Sequence, residues 1–200
     1  MSAPPRIAVL VSGGGRSLEN LAQLAALGEL DARIALVLSN TPQAFALERA
    51  KRLGLAHAVV EPRAHADAAS FSAAVFEEIE RAGVELVVLA GFLRLLVVPE
   101  RWLGRVLNIH PALLPKFGGK GFYGERVHRA VLEAGERVSG CTVHYVTNEY
   151  DRGPILLQRR TPVREGDDAH SLAERVFEEE KIALPEAIRA HFAARSASGL

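Results

Sequence analysis

Ile7-Ala8-Val9-Leu10-Val11 runs straight into Ser12-Gly13-Gly14-Gly15-Arg16-Ser17 and then into Leu18-Glu19-Asn20-Leu21. Five apolar residues in a row read as a strand buried on both faces, and such strands belong to parallel sheets covered by helices. The glycines make a turn. Leu18, Leu21 and Leu24 then recur at helical spacing, with Ser17 as the expected cap of a helix from Leu18 to Leu27.

The chain repeats this alternation. Ile34 to Leu38, Ala58 to Val60, Glu85 to Ala90 and Arg105 to Ile109 read as further strands. Gln43 to Leu53 and Ala68 to Arg81 read as helices, the second with Phe71, Val75, Phe76 and Ile79 on one side. Beyond residue 115 the pattern changes. Pro115 to Gly124 carries four glycines and reads as an irregular loop, followed by a helix from Glu125 to Ala134. Ser139 to Thr147 and Pro154 to Thr161 lie close enough in sequence to pair as an antiparallel hairpin. Asp168 to about Ala194 is an expected long helix, kinked or divided by Pro185. The expected fold is α/β: a single-domain, Rossmann-like three-layer sandwich over residues 1–200, mostly parallel with an antiparallel C-terminal portion. Residues 1–5 and 196–200 are expected to fray.

Composition narrows the function classes. The 200 residues are 48% hydrophobic and 24% charged, and 24 Lys and Arg balance 24 Asp and Glu. No basic surplus asks for nucleic acid and no acidic block marks a tail. Cys141 is the sole cysteine, so an internal disulfide is excluded and no zinc cluster is suggested. No apolar run is long enough to cross a bilayer, and the opening residues lack a signal-peptide core. The expectation is a cytoplasmic protein working on small molecules, without metal, membrane or nucleic acid.

Two segments carry candidate chemistry. The turn Gly13-Gly14-Gly15-Arg16-Ser17 joins a strand to a helix, where glycines let a phosphate approach free N–H groups. No Gly-Lys-Ser/Thr follows, so it is not a P-loop. Leu18 stands where a dinucleotide fingerprint needs its third glycine, and Ser39-Asn40 where it needs an acid. A phosphate monoester site is the leading reading, a plain tight turn the bland one. The second segment is Asn108-Ile109-His110-Pro111. Residues two apart on a strand share a face, so Asn108 and His110 project together. An amide that donates to an oxyanion, beside an imidazole that moves protons, suits acyl transfer. The alternative is a pair of turn residues imposed by Pro111. Asp151, in Tyr150-Asp151-Arg152-Gly153, is either an ordinary turn residue or the carboxylate that orients and charges the histidine. Strand ends in such sheets converge on one crevice, which Asp151 could reach.

Together Leu10-Val11-Ser12-Gly13-Gly14-Gly15, Leu89 to Leu96, Leu107-Asn108-Ile109-His110-Pro111-Ala112-Leu113-Leu114-Pro115-Lys116 and Gly140-Cys141-Thr142-Val143-His144 through Asp151-Arg152-Gly153-Pro154 resemble the phosphoribosylglycinamide formyltransferases, of the folate-dependent formyltransferase superfamily. The resemblance runs from Ile7 to about Phe192. It implies the formyltransferase fold and a direct transfer, in which the amine of glycinamide ribonucleotide attacks the formyl carbon of 10-formyltetrahydrofolate and a tetrahedral intermediate expels tetrahydrofolate. It implies that Asn108 stabilises the oxyanion, His110 moves protons, and Asp151 orders a water and tunes the histidine. It further implies that Gly13, Gly14, Gly15, Arg16 and Ser17 hold the ribonucleotide phosphate, with Pro111 and Glu180 also on the ribonucleotide. Leu93, Arg94, Leu95, Leu96, Asn108, Val146 and Thr147 would line the pterin pocket. Arg63 is a candidate for the folate's glutamate tail. A monomer or homodimer is expected.

The sequence departs from that family twice. Gly15-Arg16-Ser17-Leu18 replaces the usual Gly-Ser-Asn-Leu, and the loop Phe117 to Gly124 is longer and richer in glycine. Both bear on the acceptor more than on the formyl chemistry. The rivals are a deformylase, which uses the same Asn-His-Asp set with water and carries an extra N-terminal domain, and a formyltransferase for another amine such as an amino sugar. Among the other histidines, His57, His65, His170 and His191 are expected on the surface, His144 packed or at an edge, and His128 as a candidate near the phosphate. Cys141 is expected to be buried filler.

Overall fold

The computed structural model describes residues 3–197. Seven strands form a sheet in the order β3-β2-β1-β4-β5-β6-β7: β1 Arg6–Val11, β2 Arg33–Ser39, β3 His57–Val59, β4 Leu86–Leu89, β5 Val106–His110, β6 Val138–Tyr145 and β7 Ile155–Pro162. Five helices join them: α1 Arg16–Ala26, α2 Phe45–Arg52, α3 Ala68–Arg81, α4 Glu125–Glu133 and α5 Ala169–Ala197. The sheet is mixed, as the change of pattern beyond residue 115 implied.

Contacts group the chain into two compact units. One holds the residues through Asn108 with Val146–Asn148, the other Ile109–Tyr145 with the residues from Glu149 on. In the first unit β1 pairs in parallel with β2 and β4, β2 with β3, and β4 with β5. Parallel strands need covered faces, and alternation along β1 supplies two apolar ones. Ala8 and Leu10 pack with Leu36, Leu38 and Val87 against Phe71, Val75, Phe76 and Ile79 of α3. Ile7, Val9, Val11 and Val37 face the other way and are fully buried. α1 and α2, the unit's other helices, both contact β2. The α3 start is set by Asp67, whose carboxylate accepts from the Ser70 N–H at 2.7 Å in a capping box.

In the second unit β6 and β7 form the antiparallel hairpin, with Thr142 opposite Gln158. α5 packs on both strands and on α4.

Four expectations are corrected here. Ser17 does not cap α1. Gly15, at φ 75°, occupies that position and the helix starts at Arg16, because a left-handed residue can turn the chain into the helix without a side-chain cap. Pro185 does not divide α5, which is continuous from Ala169 to Ala197. Ala183, Leu184, Ala187 and Ile188 are buried around the proline, and that packing outweighs one missing backbone hydrogen bond. Ser196 belongs to this helix rather than to a frayed end. The fraying expected at residues 1–2 and 198–200 lies outside the described residues. His191 is not on the surface but 3% exposed. It continues the buried stripe of Leu184 and Ile188, and its Nδ1 meets the Tyr145 hydroxyl at 3.1 Å.

Candidate active site

Strand β5 carries both Asn108 and His110. Two positions apart on one strand, they project from the same face. Asn108 is half-buried and its Cα is in register with Leu89 of β4. His110 is 4% exposed.

The surroundings of His110 define its chemistry. Nε2 lies 2.8 Å from the Phe117 carbonyl oxygen. A carbonyl only accepts, so Nε2 carries the proton and the free lone pair of the neutral ring is on Nδ1. Nδ1 faces Asp151 Oδ2 at 3.6 Å. A proton taken up on Nδ1 therefore meets a carboxylate. Burial pushes His110 below the ordinary histidine value, against the upward pull of Asp151. The ring rests neutral, as a base must.

Asp151 is held from several sides. Oδ2 accepts the Gly119 N–H at 2.8 Å, and Oδ1 lies 3.5 Å from His144 Nε2. Burial alone would push its carboxyl up. The His144 hydrogen bond, the His110 charge and the Gly119 N–H outweigh burial and the net direction is down. Asp151 and Phe117 both have φ near +55°, a left-handed conformation uncommon for residues with a side chain. Both residues meet His110, so the unusual backbone sits where the imidazole is positioned. Gly118 lies between them, and a Cβ there would run into the Leu114 side chain and come within 3.2 Å of Asp151 Cβ.

The loop after His110 is fastened by β6 and β7. The Thr142 hydroxyl donates to the Ala112 carbonyl at 2.6 Å and accepts the Leu114 N–H at 3.0 Å. Gln158 Nε2 donates to the Leu114 carbonyl at 2.9 Å. The sequence reading gave Thr142 and Gln158 no role, and gave His144 only the packed position that its burial bears out. Thr142 and His144 share one face of β6 by alternation, but only the hairpin and the loop bring them to the segment around His110.

His128 on α4 is buried, and its Nδ1 has no hydrogen-bond partner among the described residues. Burial first, then the charge of His110, lower it to about 4. The unfolded chain takes that proton near pH 6.5. Below pH 6.5 the unfolded state thus binds a proton that the folded state refuses, and stability falls with pH. This one group is expected to cost about 3 kcal/mol between pH 6.5 and 4, at about 1.4 kcal/mol per unit. Urea midpoints at pH 7 and pH 4 check it: His128→Gln should lose less stability than the unaltered chain, and equal losses would refute the assignment.

Cys141 is fully buried, and burial with the nearby Glu180 pushes its thiol up to about 12, so it is no nucleophile. Glu180 is half-buried on α5. Pro111 is half-buried.

The first unit holds the glycine turn. Gly13 and Gly14 are exposed, and nothing lies within 4 Å of where a Cβ would be on either. Gly15 is different, since a Cβ there would stand 2.6 Å from Ala46 Cβ. Arg16 is exposed and Ser17 half-buried at the start of α1. The Ser12 hydroxyl, also missed from sequence, bonds the Asn40 side chain and accepts the Leu93 N–H at 2.8 Å. It thereby ties the turn to the segment Leu93 to Leu96. Ser72 Oγ accepts the Val97 N–H at 2.9 Å and Asn148 Oδ1 the Val98 N–H at 2.8 Å. The stretch is thus pinned at three points. Leu93 and Arg94 are exposed, Leu95 is half-buried, and Leu96 belongs to the core. Val146 and Thr147 are half-buried. Arg63 is exposed and paired with Glu61 at 2.7 Å. Among the described residues no group of three or more His, Cys, Asp or Glu is placed to hold a metal, and no helix is long and apolar enough to cross a membrane.

Comparison with known proteins places the chain as a whole. The chain is 41% identical to glycinamide ribonucleotide transformylase 1 from Symbiobacterium toebii, with a TM-score of 0.90 over 98% of this chain and 91% of that one. It is 41% identical over 180 residues to the chloroplastic phosphoribosylglycinamide formyltransferase of Arabidopsis thaliana, covering 88% of this chain and 61% of that protein. It is 42% identical over 186 residues to the trifunctional purine biosynthetic protein adenosine-3 of Gallus gallus, covering 92% of this chain but only 18% of that much longer protein. The formyl transferase profile matches residues 5–188, and the chain belongs to the formyl transferase family.

Proposed function

We propose that this protein transfers the formyl group of 10-formyltetrahydrofolate to the amine of glycinamide ribonucleotide, a step of purine synthesis. The observation that carries the reading is the buried neutral His110, with Asn108 on its strand and the Asp151 carboxylate 3.6 Å from its free nitrogen. In this reading the amine attacks the formyl carbon, and Asn108 donates to the developing oxyanion. Nδ1 of His110 accepts the ammonium proton, and Asp151 balances the imidazolium charge. The proton is then delivered to the departing folate nitrogen, which leaves as tetrahydrofolate. The first turn of α1 with Gly13, Gly14, Gly15, Arg16 and Ser17 takes the phosphate. Pro111 and Glu180 take the glycinamide end, while Leu93 to Leu96, Val146 and Thr147 wall the pterin. The protein works in the cytoplasm as a monomer or homodimer, on small molecules.

The direct test is tetrahydrofolate release from 10-formyltetrahydrofolate, with and without glycinamide ribonucleotide. Turnover that needs the ribonucleotide and yields its formyl derivative is the expected result. Turnover with water alone would make the protein a hydrolase. Folate binding with no turnover on this amine would point to another acceptor.

The role of Asp151 has its own signature. Its charge raises His110 against burial, so Asp151→Asn removes a counter-charge and the ring needs a lower pH to protonate. The acid limb of kcat/KM, where neutral His110 is lost, is expected to move to lower pH, while kcat falls by about 10²-fold. An unmoved acid limb would remove Asp151 from this role.

A further inference from the structure

Arg49 lies outside every segment that the family resemblance singled out, yet it makes three contacts around the glycine turn. Its Nε donates to the Gly14 carbonyl at 2.9 Å. Its Nη1 pairs with Glu19 on α1, which Arg52 also meets. Its guanidinium lies over the Phe45 ring, 5.2 Å from the centroid. The preceding carbonyl, of Gly13, accepts the Ala46 N–H at 3.0 Å. Helix α2 therefore holds two successive carbonyls of the turn.

Peptide planarity converts this into a statement about the donors. In a trans peptide the N–H points opposite to the C=O of the same unit. With the Gly13 carbonyl drawn toward α2, the Gly14 N–H points away from it. With the Gly14 carbonyl drawn to Arg49, the Gly15 N–H does the same. Successive backbone N–H groups turned to one side, next to the unsatisfied donors of a helix start, form a concavity suited to an anion. The Ala46 N–H fixes one peptide by backbone alone. The other depends on a side chain.

We infer that Arg49 is a positioning residue for the acceptor's phosphate, acting through the Gly14 carbonyl rather than by touching the ligand. The inference rests on the reading of the glycine turn as the phosphate site. Arg49 has its Nε and Nη1 committed within the protein, to a carbonyl on one side and a carboxylate on the other. The planar fork spans these two acceptors at once, and a lysine ammonium is a point donor without that geometry.

The test compares the unaltered chain with Arg49→Met and Arg49→Lys, on glycinamide ribonucleotide and on the corresponding nucleoside without phosphate. Both variants should raise the ribonucleotide KM about tenfold, the scale of one lost hydrogen bond to an organising group. Both kcat and the folate KM should stay within about twofold, and KM for the nucleoside should not move. A normal ribonucleotide KM in Arg49→Met would overturn the inference. So would full rescue by Arg49→Lys, which would mean that charge alone matters, or an equal rise for the nucleoside, which would mean general loosening. If Arg49→Met does not fold, Arg49→Lys decides alone on the same KM. Ribose 5-phosphate separates this inference from the reading beneath it. It should raise the melting temperature of the unaltered chain where ribose does not. No difference between the two sugars in the unaltered chain would defeat the phosphate reading itself. A difference there that persists undiminished in Arg49→Met would defeat only the role of Arg49.

Discussion

Replacing His110 by alanine is expected to lower kcat for formyl transfer by about 10³-fold, while the variant folds and still binds folate. The free amine becomes an ammonium as it attacks the formyl carbon, and the tetrahedral intermediate can collapse to the amide only after a base takes that proton. Positioned proton transfer contributes about 10² to 10⁴-fold in such reactions. In the proposed mechanism His110 is that base. Nε2 is committed to the Phe117 carbonyl, and the remaining lone pair is directed at Asp151. Asn108→Ala removes the proposed oxyanion donor instead and should cost about 10²-fold or more. His110 is buried, so alanine leaves a small void and some lost stability, which circular dichroism and a melting curve separate from the kinetic effect. Steady-state kinetics with a parallel folate-binding measurement gives the answer. Near-normal turnover in His110→Ala would end the mechanism, whatever the family resemblance.

Gly140→Ala is expected to destabilise the protein by about 4 kcal/mol or more, a drop in melting temperature of roughly 10 °C for a chain of this size. A Cβ at Gly140 would run into the Arg159 carbonyl oxygen of the neighbouring strand and stand 2.9 Å from Leu113 Cδ2. The carbonyl belongs to the β6–β7 ladder, where Gly140 lies opposite Arg160 and Cys141 opposite Arg159, and cannot swing aside as a side chain would. The backbone angle at Gly140, φ 156°, also favours glycine. Leu113 lies in the loop that begins after His110, so displacing it disturbs the fastening of that loop by Thr142 and Gln158. Activity should therefore fall together with stability. A melting temperature within about two degrees of the unaltered chain would show that the hairpin relaxes around the methyl group.

Legibility in the sequence followed the range of the interactions. The α3 helix matches the expected Ala68 to Arg81 at both ends, because a capping Asp67 and a clean apolar stripe are local signals. The antiparallel hairpin was legible for the same reason, its two strands separated by a short link. The start of α1 was not, because a left-handed Gly15 replaced the side-chain cap that Ser17 seemed to offer. His191 was misplaced because the stripe it continues is apolar, and a histidine joins it only through the Tyr145 hydroxyl of another element.

At the candidate site the sequence by itself determined which polar side chains share a strand face. Period-two spacing on one strand is enough to put Asn108 and His110 on a common face, and Gly13 to Gly15 between strand and helix is enough to mark a turn that an anion can approach. It determined the α/β class as well, since apolar runs too short for helices alternate with stripes of helical period. Tertiary structure alone decided which nitrogen of His110 is free, because the Phe117 carbonyl that takes the other proton sits at the tip of an irregular loop. It alone brought His144 to Asp151, and it alone directed Arg49 of α2 onto the carbonyl of a turn 35 residues away. The physical reason is common to all three. Periodicity encodes which way a side chain points from its own element, but hydrogen-bond partners and burial, and through them protonation, belong to the elements packed around it.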